Sequence, residues 1–182
     1  MGGGRVMKRT VWLWQLFGFA AVSLLGTLLH FLYDLSGGAI WVAPFSGVNE
    51  STWEHMKLLF FPMLAFAIFE RRYFKGRRDF WCVKLSGIAF GLFMIPFLYY
   101  GYNGVIGKSP DWVNITIFFV SAALSFIYET RKFSKNATPC KNSRLALVFI
   151  MAIAVLFFVF TFAPPSLAIF RDPITGGYAI PS

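Results

Sequence analysis

The chain has 182 residues, of which 57% are hydrophobic and 20% aromatic but only 14% charged, and its mean hydropathy is +0.62. A soluble domain carries about a quarter charged residues, so the composition excludes an ordinary soluble protein and points to a polytopic membrane protein. The net charge of +9 does not imply nucleic acid, because Lys and Arg cluster in the short gaps between apolar runs, where they orient helices and meet anionic lipid headgroups.

Residues 1–10 are glycine-rich and then basic (Arg5, Lys8, Arg9), and the apolar run from Val11 to Tyr33 follows. That run is too long for a signal-peptide core and lacks a small-x-small cleavage site, so it predicts a first membrane helix over residues 11–35. Gly18, Val22, Gly26, His30 and Asp34 recur every fourth residue. They form one stripe, and small residues mark where membrane helices approach closely, so His30 and Asp34 are expected to face protein. Leu35 to Val48 reads as a loop with no Lys or Arg, and Trp41 as an interfacial anchor.

A second helix is predicted over residues 49–70, with a kink at Pro62. The basic cluster Arg71 to Asp79 follows, then a third helix over 80–100 containing Gly87, Gly91 and Pro96. A fourth helix over 112–130 carries Asn114, Thr116, Ser121 and Ser125, which can hydrogen-bond across helices. After Arg131, Lys132, Lys135, Lys141 and Arg144, a fifth helix over 145–163 is apolar apart from Thr161 and reads as the lipid-facing, least functional member. The tail, 164–182, is rich in turn residues and apolar side chains, so it is expected to fold back over the mouth of the bundle as a turn or small hairpin.

The fold class is therefore an all-α bundle of five transmembrane helices in a single domain, 1–182. The positive-inside rule puts the N-terminus in the cytoplasm and the C-terminus outside. Cys82 and Cys140 then face the reducing cytosol, and no disulfide is expected. Glu70 and Glu129 sit beside arginines and read as local ion pairs. The triplets beginning at Asn49, Asn114 and Asn136 match the glycosylation pattern at the level expected by chance.

The polar run Asn49-Glu50-Ser51-Thr52-Trp53-Glu54-His55-Met56-Lys57 opens directly into an apolar segment. Asn49 or Ser51 can cap the second helix, and Glu50 and Glu54 complement its positive end. With helical spacing from Asn49 onward, Glu50 and Glu54 would share one face and Ser51 and His55 the next. The only other histidine is His30. At about 1.5 Å per residue, it lies roughly 6 to 8 Å inside the end of the first helix, and His55 roughly 9 Å inside the start of the second. The two imidazoles can occupy one layer, and ionisable groups at that depth suggest function.

Three readings follow. His30, His55 and Glu54 could bind a divalent metal ion such as zinc, with Glu50 and Glu54 as catalytic carboxylates and hydrolysis of an envelope or lipid-linked substrate as the reaction. The spacing matches no established zinc signature. Two imidazoles among aromatics could instead hold a haem or border a quinone pocket. In the third reading Asp34, Glu50, Glu54, Lys57 and Arg171 form an ion-pair and capping network, and the protein is a non-enzymatic transport, sensing or structural subunit. Asp34, Asn49, Lys57 and Arg171 are the expected ligand-binding residues. Arg171, the only basic residue of the tail, is expected to pair with Glu50, Glu54 or Asp34 and close the site. Membrane lipids are the expected partners, with a second copy or another membrane protein where an aqueous pathway is needed.

The stretches His30 to Asp34 (HFLYD), Phe45 to Lys57 (FSGVNESTWEHMK) and Phe170 to Gly176 (FRDPITG) resemble the signature of a family of small bacterial multi-pass membrane proteins of unknown function. The resemblance covers most of the chain. It implies the bacterial cytoplasmic (inner) membrane and supports the choice of site, but it transfers no mechanism.

Overall fold

The computed structural model describes residues 3–135, 140, 142–178 and 180, with side chains from residue 9 onward. The side chains of Arg5 and Lys8, and residues Lys141, Asn136 to Thr138 and Pro181, lie outside what is described. The helices are α1 (Gly3–Leu35), α2 (Thr52–Glu70), α3 (Phe80–Val105), α4 (Asp111–Phe133) and α5 (Ser143–Phe162), followed by a short 3-10 turn at Ala168–Phe170. The described residues contain no strand.

Four helices, α1, α3, α4 and α5, are long and apolar enough to cross a membrane, which marks the chain as a membrane protein. The remaining helix, α2, does not reach that threshold, because Glu54, His55 and Lys57 dilute its apolar stretch. Its position compensates, since α2 packs against every other helix and buries most of its residues, including Leu58, Leu59, Phe60, Met63 and Phe66. A helix apolar on all sides belongs in an interior. The outer helices turn leucine, valine and phenylalanine outward, among them Leu24 and Leu28 on α1 and Val148 and Val155 on α5.

Gly18 and Gly26 bring α1 against this central helix. A side chain at Gly18 would meet the rings of Phe66 and Phe126, and one at Gly26 would meet Phe118 and the carbonyl oxygen of Leu58. That carbonyl is the one Pro62 cannot serve, because proline lacks the N–H that would close the helical bond four residues back. On α3, Gly87 and Gly91 make room in the same way for Glu129 and Ser125 of α4.

The loops are tied down by side chains. Ser46 donates to the Leu29 carbonyl and accepts from the Tyr33 N–H, which folds the α1–α2 loop back along the end of α1. Arg77 grips both carboxylate oxygens of Asp79 and donates to the Phe133 carbonyl, tying the α2–α3 loop to the end of α4. Cys82 and Cys140 are joined by a disulfide with their Cα atoms 6.2 Å apart, which corrects the expectation of two free thiols. That expectation came from compartment alone, whereas the fold sets Cys140 and Asn142 beside Cys82 in the first turn of α3.

In the tail, Phe170 is buried against Trp53 and Phe160, with ring centroids 4.6 and 5.4 Å away. Asp172 closes the following turn by accepting from the N–H of Ile174 and from both the N–H and the hydroxyl of Thr175. The segment is a turn rather than a hairpin.

The Gly26 contact predicts a clean contrast. Gly26→Ala should lower stability by about 1–3 kcal/mol through overpacking against α2. Gly101→Ala, at a position with nothing within 4 Å, should leave stability unchanged or slightly higher. Thermal unfolding in detergent, comparing the two variants, measures the difference.

Candidate functional site

Helix α2 begins later than its sequence suggests. Ser51 is the N-cap and its hydroxyl accepts from the Glu54 N–H at 3.4 Å, while the Asn49 side chain accepts from the Ser51 N–H at 2.9 Å in the preceding turn. Glu50 therefore lies outside the helix, and it does not share a helical face with Glu54. The two carboxylates separate, one turning inward and the other toward the histidines.

Glu54 turns inward. It is 3% exposed and Lys57 is 0% exposed, and Lys57 Nζ lies 2.6 Å from Glu54 Oε2. The same ammonium donates to the Ala43 carbonyl at 2.8 Å and to the Thr161 hydroxyl at 3.0 Å. An ammonium has three N–H donors, and all three are used. Glu54 Oε2 also accepts from the Val48 N–H. Thr161, the lone polar residue of a helix read as merely lipid-facing, thus anchors α5 to α2. Glu54 is occupied by Lys57 and is not placed with the histidines as a third ligand, and Lys57 has no donor left for a bound molecule.

Glu50 turns to the histidines. Its Oε1 lies 3.7 Å from His30 Nε2 and its Oε2 lies 3.5 Å from His55 Nε2. The two imidazole rings have centroids 5.7 Å apart. His55 Nδ1 lies 3.0 Å from the Ser51 carbonyl oxygen, a contact that requires Nδ1 to carry the hydrogen and leaves Nε2 facing Glu50. Gly47 borders the other ring, and a Cβ there would stand 3.4 Å from His30 Nδ1.

Two cavities meet at this cluster. A narrow cleft of about 10 Å³ is lined by Glu50, Thr52, His55, Tyr99 and Asn114 together with the apolar Ile95, Ile117 and Phe118. A half-open apolar cavity of about 130 Å³ lies on the other side, lined by residues that include Gly26, His30, Phe31, His55, Phe118 and Phe119. His55 and Phe118 belong to both. Sequence reading assigns no site role to Tyr99 and gives Asn114 only a generic interhelical hydrogen bond. Their positions at the last turns of α3 and the first turn of α4 were the available signal.

Asp34 is exposed at the end of α1, because the four-residue stripe drifts off the packed face after His30. Arg171 is also exposed, and among the described residues it forms no ion pair with Glu50, Glu54 or Asp34. The tail reaches the bundle through Phe170 instead, so the expected closing contact by Arg171 is not made. Among the described residues no group of three or more His, Cys, Asp or Glu stands arranged as a metal cage.

A second polar cluster lies at the opposite end of the bundle. Lys84 of α3 forms ion pairs with Glu70 of α2 and with Glu129 of α4, the latter at 2.6 Å. Gln15 of α1 donates to Glu70 Oε1 at 2.6 Å. Glu70 and Glu129 are thus paired across helices, which corrects their assignment to neighbouring arginines. Burial decides this, because Arg71 turns to the Phe74 carbonyl and the Phe80 ring and Arg131 is exposed, while the buried Lys84 reaches both carboxylates.

The Lys57 strut yields a prediction. Lys57→Met should cost about 3–5 kcal/mol by leaving the Glu54 carboxylate buried without its partner, and adding Glu54→Leu should restore much of that loss. A double-mutant cycle measured by thermal unfolding in detergent checks it.

No curated protein and no solved structure matches the chain. One family model does, over residues 5–180. The chain belongs to that family, the Family of unknown function (DUF6512).

Proposed function

We propose that this protein binds the polar group of a lipid-borne molecule at His30, Glu50 and His55 and performs acid–base chemistry on it, with hydrolysis of an envelope or lipid-linked substrate as the reaction. The observation that carries the reading is the carboxylate of Glu50 set between two imidazole Nε2 atoms where a narrow cleft meets an apolar cavity. An acyl or isoprenoid chain would lie in the apolar cavity along Phe31, Phe118 and Phe119 and bring its polar group to His30 and Glu50, while the narrow cleft beside Tyr99 and Asn114 has room for a reacting water.

The tautomer of His55 adds a requirement. With Nδ1–H donated to the Ser51 carbonyl, a neutral ring points its Nε2 lone pair at a carboxylate oxygen 3.5 Å away. Two lone pairs in that arrangement repel unless positive charge lies between them. A proton would supply it, making an imidazolium paired with Glu50. A divalent ion such as zinc would supply it equally, with His30, His55 and Glu50 as the residues that would hold it once their side chains closed around it, since they do not stand as a cage in this structure. Glu50 replaces Glu54 in this donor set. A bound ion would polarise the scissile group or lower the pKa of an attacking water. A haem fits less well, because the Glu50 carboxylate already lies within 3.5 to 3.7 Å of both Nε2 atoms.

We place the site on the extracytoplasmic face of the bacterial cytoplasmic membrane, with α2 as a fifth span sheltered by the other four. The concentration of Arg and Lys in the α2–α3 and α4–α5 loops supports this orientation. The Cys82–Cys140 bond at that basic end argues the other way, since the cytosol is reducing. Reporter fusions to the Arg71–Asp79 loop decide between them, and an extracytoplasmic loop would invert the topology and put the disulfide in an oxidising compartment.

Metal analysis of the purified protein tests the site itself. Wild type and Asp34→Asn should retain a divalent ion that His55→Ala and Glu50→Gln lose. Wild type without metal, together with an unchanged melting temperature for His55→Ala, would leave a transport, sensing or structural subunit in place of an enzyme. A visible Soret band would move haem to the front.

A further inference from the structure

We infer that Glu70, Lys84 and Glu129 form a buried proton-binding site at the basic end of the bundle, in which two carboxyl groups share one ammonium and hold one proton. The site is separate from the histidine cluster and independent of what that cluster does. All three residues are 0 or 1% exposed and come from three different helices.

Charge counting begins the argument. Lys84 contributes one positive charge, and Glu70 and Glu129 contribute two carboxyls, both paired to the same Nζ. The groups facing them do not balance the remainder. Among the described residues of α1, the group seen to face them is the neutral amide of Gln15, which donates to Glu70 Oε1. Arg71, at the end of α2, stacks over Phe80 and donates to the Phe74 carbonyl. Arg77 is spent on Asp79 and the end of α4. With both carboxyls ionised the cluster would keep an uncompensated negative charge in an apolar interior, and like charges at one site do not both ionise cheaply.

The surroundings exclude water as the remedy. The rings of Phe66, Phe80, Phe126 and Phe133 stand 5.5 to 5.8 Å from the Lys84 ammonium and close around it. They stabilise the lysine as a cation through their faces and shield the carboxyls from solvent.

Geometry assigns the proton. Glu70 is held on both sides, by Gln15 at Oε1 and by Lys84 at Oε2. Glu129 meets Lys84 through Oε2 only, and its Oε1 is buried with no hydrogen-bond partner. An orphaned neutral carboxyl oxygen costs less than an orphaned charged one, so the proton belongs on Glu129 Oε1. A sodium ion is a poorer candidate, because the ammonium already fills the position between the carboxyls and a proton needs no extra volume. Gly87 faces the Glu129 carboxyl, where any side chain would collide.

The site also opens a polar stripe. Glu129, Ser125 and Ser121 succeed one another every fourth residue on α4 and are fully buried, and Ser121 Oγ lacks a hydrogen-bond partner. The same helix presents Asn114 to the narrow cleft beside His55.

Infrared spectroscopy of the full-length protein in lipid nanodiscs at neutral pH tests the inference. Wild type should show the C=O stretch of a protonated carboxylic acid, shifted in D2O. The band should vanish in Glu129→Gln, the isostere of the protonated acid, and in Glu70→Gln, where a one-to-one pair with Lys84 remains. It should persist in Asp172→Asn. A wild-type spectrum without the band overturns the inference whether or not the variants fold. A band that survives in both glutamine variants overturns it too, as does a melting temperature that rises specifically with sodium over choline chloride in the absence of the band.

Discussion

A lysine ammonium with no exposure to solvent holds the histidine end of this bundle together. Lys57 Nζ binds Glu54, the Ala43 carbonyl and the Thr161 hydroxyl, so one side chain joins α2, the α1–α2 loop and α5. Removing a charge from water is costly, and the cost is recovered only when every donor finds an acceptor with good geometry. That requirement fixes where the loop lies and how α5 docks. It also consumes Glu54, leaving Glu50 as the acidic group available to the histidines.

The two ends of the bundle handle buried charge differently. At the histidine end the ionisable groups divide into a satisfied inner pair, Glu54 and Lys57, and a partly exposed outer group, His30, Glu50 and His55. The inner pair sets the backbone and the outer group borders open space, an arrangement that combines a rigid support with accessible chemistry. At the basic end the ratio is two carboxyls to one lysine, sealed by four phenylalanines. Both clusters depend on the central position of α2, which contributes Glu54, His55 and Lys57 to one and Glu70 to the other.

Close approach between helices is the second condition for both sites. Gly26 admits α1 to the carbonyl of Leu58, one turn from His55, and Gly87 and Gly91 admit α4 to α3 beside Glu129 and Ser125. Lipid gives helices no hydrophobic reason to associate, so such contacts and the polar pairs between helices carry the assembly.

The five helices could be read from the sequence because apolar runs bounded by basic clusters and turn residues are local signals, and Ser51 was legible as a cap for the same reason. His30 and His55 were likewise legible as neighbours, since a short loop returns α2 alongside α1. The sequence could not show which carboxylate serves which partner. Glu50 and Glu54 are four residues apart, and only the late start of α2 at Thr52 sends one to the histidines and the other to Lys57. Nor could it show that Lys84 would find Glu70 and Glu129, that Thr161 would receive Lys57, or that Cys82 would meet Cys140, because each pairing joins residues distant in the chain. Periodicity and composition determine which segments become helices and which stripes face inward, since both follow from the chain's own geometry. Ion pairing in an apolar interior is decided by which helix faces meet, and that is a property of the packed bundle alone.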